Sequence, residues 1–153
     1  MRWVVLIMHE RIYVIVPSER SDEWKEEVDG SLVMNNDRWD WYEFENDLLT
    51  FDSGATNVAT VSTIDWESMR ERNAKRELWL SAESLPAEDL KNIKKEMKLL
   101  AHGFVNASGV WTDSWDFRVE NRSDSIDNWG NWLDDAISKL NPNDVLVVVD
   151  MHY

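Results

Sequence analysis

Polar residues are almost absent from two neighbouring stretches of the chain, "RWVVLIM" (2–8) and "RIYVIVP" (11–17), which His9-Glu10 separates. Short β-branched runs that are apolar at consecutive positions predict strands buried on much of both faces, here a hairpin turning at His9-Glu10. "DVLVVVDM" (144–151) has the same character and predicts a third strand of this kind. Between them the pattern changes. In "SERSDEWKEEVDG", Ser21 or Asp22 can cap and Gly30 can stop a short helix near 22–28. "SLVMNND" and "RWDWYEF" alternate loosely about Asn35-Asn36-Asp37 and predict a second hairpin. "LLTFDSG" and "NVATVSTI" extend this meander, while the charged 65–77 is weakly periodic and reads as a helix or helical linker.

Helical periodicity is clearest in the second half. "PAEDLKNIKKEMKLLAHG" (86–103) opens on Pro86, carries Glu88 and Asp89 near the positive end of its dipole, and closes at Gly103. Leu90, Ile93, Met97, Leu100 and Ala101 form its apolar stripe, and Lys91, Lys95, Lys98 and His102 lie on another face. A second helix is predicted over 126–140, capped by Ser125, with Trp129, Leu133 and Ile137 inward. "ELWLS" (77–81) predicts a short strand, and "FVNASGVW" and "SWDFRVE" a hairpin about Thr112-Asp113-Ser114. Taken in order, 77–151 reads β-α-β-β-α-β, the ferredoxin-like split arrangement, with the N-terminal hairpins extending or flanking its sheet. The expectation is one α+β domain over 1–153, a mostly antiparallel sheet with two main helices.

Composition narrows the class. With 153 residues, 43% of them hydrophobic, and few Gly and Pro, the chain can bury its own core. It has no cysteine, which excludes disulfides and thiolate chemistry and fits a reducing compartment. No apolar run is long enough for a membrane span or a signal peptide, so a cytoplasmic protein with no membrane partner is expected.

The net charge of −14 disfavours direct nucleic-acid binding and favours a basic protein partner. Residues 19–52 hold twelve acids against three bases, and 101–153 hold nine against three, so two acidic blocks flank a mildly basic middle.

Both acidic blocks are rich in tryptophan. In "DRWDWYEF" strand alternation puts Trp39, Trp41 and Glu43 on one face and Asp40, Tyr42 and Phe44 on the other. Similar mixtures recur in "WTDSWDF" and "DNWGNWLDD". Most of the ten tryptophans belong in or near the core, with Trp39 or Trp41, Trp115 and Trp132 the ones expected at the surface. Exposed indole ringed by carboxylates suits an interface in which aromatic anchors bind and acids steer a basic partner. The function expected is therefore a non-enzymatic inhibitor of a basic protein partner, either an immunity protein or antitoxin against a nuclease-type toxin, or a phage-type anti-defence protein that mimics nucleic-acid charge. One set of contacts would be Asp37, Trp39, Asp40, Trp41, Glu43 and Glu45. The other would be Asp113, Trp115 and Asp116, with Asp127, Trp132, Asp134 and Asp135 from the last helix.

No nucleophile elbow, Walker loop, dinucleotide fingerprint or zincin motif is present, so no catalytic residue and no cofactor is expected. The alternative function is a ligand-binding or small enzymatic domain. It would use a Trp/carboxylate pocket, or a metal site of His9, Asp150 and His152 if the first and last strands run parallel as neighbours.

Overall fold

The computed structural model describes residues 9–35, 37, 39–52, 54–79, 87–118 and 122–152. In chain order its elements are β1 (His9–Val16), α1 (Trp24–Val33), β2 (Trp41–Phe44), β3 (Leu48–Leu49), β4 (Ala55–Thr56), β5 (Val58–Thr60), α2 (Trp66–Trp79), α3 (Ala87–Lys98), β6 (Gly103–Val105), β7 (Trp111–Asp113), α4 (Arg122–Ser138) and β8 (Val145–His152). Short 3-10 segments precede α1 and follow β5 and β7.

The two β-branched runs form the centre of the main sheet. β1 and β8 pair antiparallel along their whole length, from His9 opposite His152 to Val16 opposite Val145. The strand order is β2-β8-β1-β6-β7, and β5 joins β8 on the side that β2 also occupies, so β2 and β7 are opposite edges among the described strands. Both faces of the central pair are covered, which is why its sequence shows no polar alternation. Tyr13, Ile15, Leu146 and Val148 point into a core completed by Met69 of α2, Leu100, Ala101, and Trp129 and Leu133 of α4. Ile12, Val14, Val147 and Val149 point the other way, against Val28 and Leu32 of α1. Each such side chain, when fully buried, contributes about 1.5–3 kcal/mol of hydrophobic stabilisation.

The fold is α+β as expected. The four helices among the described residues fall on the four stretches that read as helical, and the sheet is mostly antiparallel as expected, with β1 and β6 its one parallel pair among the described strands. In a split βαβ unit a third strand lies between the parallel pair; here β1 and β6 bond each other directly, with Ile12 opposite Gly103. The strand expected at 77–81 is absent where it is described, since Glu77–Trp79 are the last turn of α2. His9 and Glu10 do not turn; they continue β1, facing His152 and Met151 of β8. The strand expected over 2–8 lies outside the described residues, as do Asn36 and Pro86.

Three boundaries also move. α1 runs through Gly30 to Val33, because Leu32 continues the buried stripe begun by Val28; this removes the strand expected over 31–37 and with it the second hairpin. The β6–β7 hairpin turns at Asn106–Gly109, where the Asn106 side chain accepts from Ser108 N and Val110 N and Gly109 takes φ 80°, a left-handed conformation that suits glycine. Ser125 is a buried residue inside α4, which begins at Arg122. No helix among the described residues is long and apolar enough to cross a membrane.

Candidate functional site

The candidate site lies near the end of β8, where its apolar run gives way to Asp150 and His152. On the face carrying Tyr13 and Val148, successive rows of side chains repeat every second residue toward the end of β8. The apolar row of Tyr13 and Val148 gives way to Arg11 and Glu43, both opposite Asp150. The last row has His9 and Trp41, both opposite His152. β1 and β8 are thus antiparallel, not parallel as the sequence argument required, yet their register still sets His9 against His152. Only the strand position of His9 is described.

Within these rows Asp150 Oδ2 lies 3.2 Å from His152 Nε2. Glu43, Asp150 and His152 each offer a ligand atom, and the three atoms lie within 4.8 Å of one another. The Trp41 indole lies flat on the imidazole, with centroids 3.5 Å apart and planes inclined by 9°. Asp40 N donates to His152 O at 2.8 Å, so the edge strand is fastened at this end.

A second polar group adjoins the first. Arg11 Nε is 2.8 Å from Asp47 Oδ2 and 3.9 Å from Glu45 Oε2, and its Nη1 donates to Leu100 O at 2.9 Å. Arg72 approaches the same Asp47 oxygen at 3.2 Å and donates to Asp47 O. Asp47 is buried, so these two guanidiniums compensate a carboxylate that would otherwise be costly to desolvate. Burial pushes the Tyr13 hydroxyl above the ordinary tyrosine range, a shift that the Arg11 guanidinium opposes.

No protein-family model, curated protein or solved structure matches this chain significantly. Any functional reading therefore rests on the residues themselves.

The expected contact residues separate into distinct environments. Asp37, Asp40, Trp41 and Glu43 are exposed on or beside β2. Trp39 is half-buried, with its Nε1 donating to Leu32 O at 3.0 Å and its ring edge-on to Tyr42. Trp132 packs against Phe104 and Phe117 and stacks on Trp129. Trp115 is 54% exposed, and the Arg118 guanidinium lies 5.1 Å from its ring centroid. Asp113 is buried; it accepts from Trp111 Nε1 and caps the 3-10 segment after β7, while Asp116 accepts from Asp113 N in return. On α4, Asp127 pairs with Lys95, Asp134 with Arg70, and Asp135 with Lys139.

The acidic block 101–153 is therefore divided, with Asp150 beside Glu43 of the first block and Asp113 and Asp116 at β7. β2 and β7 are separated by four strand spacings, about 19 Å. α1 lies against the other face of β2, since Trp24 packs edge-on against Phe44 at 5.1 Å and Trp39 reaches Leu32 O. Asp22, Glu23, Glu26 and Asp29 are exposed there. Sequence reasoning did not find the meeting of Glu43 with Asp150 and His152, because only the β2–β8 register creates it. It also missed the Arg11–Asp47–Arg72 group; the one available signal was a charged Arg11 at the head of an apolar strand.

Proposed function

We propose that the protein is a non-enzymatic inhibitor that binds a basic protein partner, either a nuclease-type toxin or a nucleic-acid-binding complex whose groove is built for phosphates. The observation that carries this reading is the edge position of β2, where Asp40, Trp41 and Glu43 are exposed together, while α1 and the 3-10 segment before it, with exposed Asp22, Glu23, Glu26 and Asp29, pack against the other face of the strand through Trp24–Phe44. Trp41, 49% exposed on the edge strand between Asp40 and Tyr42 and with Glu43 on the same face, is the aromatic anchor. The acids of this surface draw the partner in and set its orientation, and the indole supplies contact energy once water is excluded. The α4 acids take no leading part, because Lys95, Arg70 and Lys139 already pair with them. A chain without cysteine suits such a role in a reducing cytoplasm.

The test is capture from source-cell lysate at low salt, followed by elution in a salt gradient and mass spectrometry. A basic protein should be retained and released at moderate salt. Trp41→Ala and the double change Asp40→Asn/Glu43→Gln should each weaken retention at least about tenfold, whereas Asp134→Asn should leave it unchanged. Equal retention by all of these proteins, or retention indifferent to salt, would overturn the charge-steered reading.

A further inference from the structure

We infer that Glu43, Asp150 and His152 form a binding site for a divalent transition-metal ion, with Zn2+ the best-matched probe. The inference goes beyond the inhibitor reading and does not depend on it. Three observations converge on this point. The donor set is one imidazole nitrogen and two carboxylates, a mixture suited to zinc and its neighbours rather than to the all-oxygen sites of calcium or magnesium. The spacing also fits: a tetrahedral ion about 2.0–2.1 Å from each ligand holds its donors roughly 3.3 Å apart, and Asp150 Oδ2 lies 3.2 Å from His152 Nε2. Glu43, exposed on the edge strand, closes the set by side-chain rotation, since all three ligand atoms already lie within 4.8 Å.

The third observation is energetic. Glu43 and Asp150 are directly opposite across β2 and β8, an unfavourable like-charge relation in a sheet, and Arg11, which faces Asp150 from β1, directs its guanidinium to Asp47 and Leu100 O. A divalent cation where the two carboxylates converge reverses that repulsion into attraction. The Trp41 ring holds the imidazole plane from one side and so limits the freedom lost when His152 coordinates. Three protein ligands leave a further coordination position for water, the pattern of an open rather than a sealed zinc site.

The experiment is calorimetric titration of the purified, chelator-treated full chain with Zn2+ at neutral pH, with far-UV circular dichroism to confirm folding. One ion per chain should bind, and the affinity should fall at lower pH because protons compete for the ligands. His152→Gln should abolish binding, and Glu43→Gln, an exposed change that spares the core, should weaken it at least about tenfold. Co2+ should quench tryptophan fluorescence in the parent and quench it less in Trp41→Phe, since Trp41 touches the ligating ring. No saturable binding by the folded parent would overturn the inference. So would Zn2+ binding of equal strength in Glu43→Gln and His152→Gln.

Discussion

Tyr13 is fully buried, and its hydroxyl has no hydrogen-bond partner among the described residues. A buried hydroxyl left unpaired costs about 1–3 kcal/mol. Tyr13→Phe removes that group and keeps the ring that packs near Trp66, so it should raise the urea-denaturation free energy by about 1 kcal/mol. The same residue makes a prediction about pH. Its folded value is raised above the unfolded 10.0, so above that pH the unfolded chain gives up a proton that the folded one retains. The stability contribution is whole below pH 10.0 and is lost progressively as the pH climbs toward the higher folded value. Parent and Tyr13→Phe melting curves compared across this range should diverge, with the parent falling faster. Other groups that titrate there are common to both proteins and cancel in the difference.

At the scale of elements, β1 and β6 meet at their tightest point where Ile12 faces Gly103. A Cβ built on Gly103 would lie 2.5 Å from Ile12 Cδ1, and Ile12 has no exposed surface into which it can move. Gly103→Ala should therefore destabilise the protein by about 1–3 kcal/mol through overpacking. Ile12→Val, which deletes the clashing methyl, should recover part of the loss in the double variant. Chemical denaturation of the four proteins checks both.

What the sequence revealed at this scale follows from locality. β8 was legible because six of its eight residues are apolar and its burial is intrinsic to the run. The helices over 87–98 and 122–138 were legible because their stripes repeat with the helical period. β2 was visible as an alternating strand, but its partner lies at 149–152, and no turn signal points across that separation. The sequence predicts a hairpin of 104–111 with 114–120, whereas the observed one joins 103–105 to 111–113 and Ser114–Phe117 is a 3-10 segment, not a strand. Asp113 resembles a turn residue, yet its side chain caps the segment that follows, and the left-handed Gly109 marks the actual reversal. The candidate site inherits this limit. Asp150 and His152 share a strand and were singled out together, whereas Glu43 joins them only through long-range register.

For the whole molecule, the decisive quantity is how −14 charges are distributed. The exposed pairs of α4 each contribute about 0–1 kcal/mol and will weaken as salt is added. The repulsion among the more numerous acids of α1 and β2 weakens too, and with so large an excess of acid it outweighs them. Raising NaCl from about 0.02 to 0.2 M, which shortens the screening length to roughly 7 Å, should therefore raise the melting temperature by a few degrees; a fall would place the balance with the surface pairs. Because Arg70, Lys95 and Lys139 already pair with the α4 acids, charge removed from α4 should leave the association rate of a partner that engages β2 largely intact.

The central seat of β8 also has a consequence during synthesis. It hydrogen-bonds β1, β2 and β5, all of which precede it along the chain. As the polypeptide leaves the ribosome, "RIYVIV" emerges early, while its antiparallel neighbour at 145–152 comes last of the described elements. Until then, among the described strands, β1 has only the three-residue β6 beside it, and β2 and β5 have no strand of the main sheet to pair with. Completion of the sheet is a late, long-range event that makes folding slow for a domain of this size. A nascent chain stalled before Val145 would display bare β-branched edges, the kind of surface that chaperones cover and aggregates recruit.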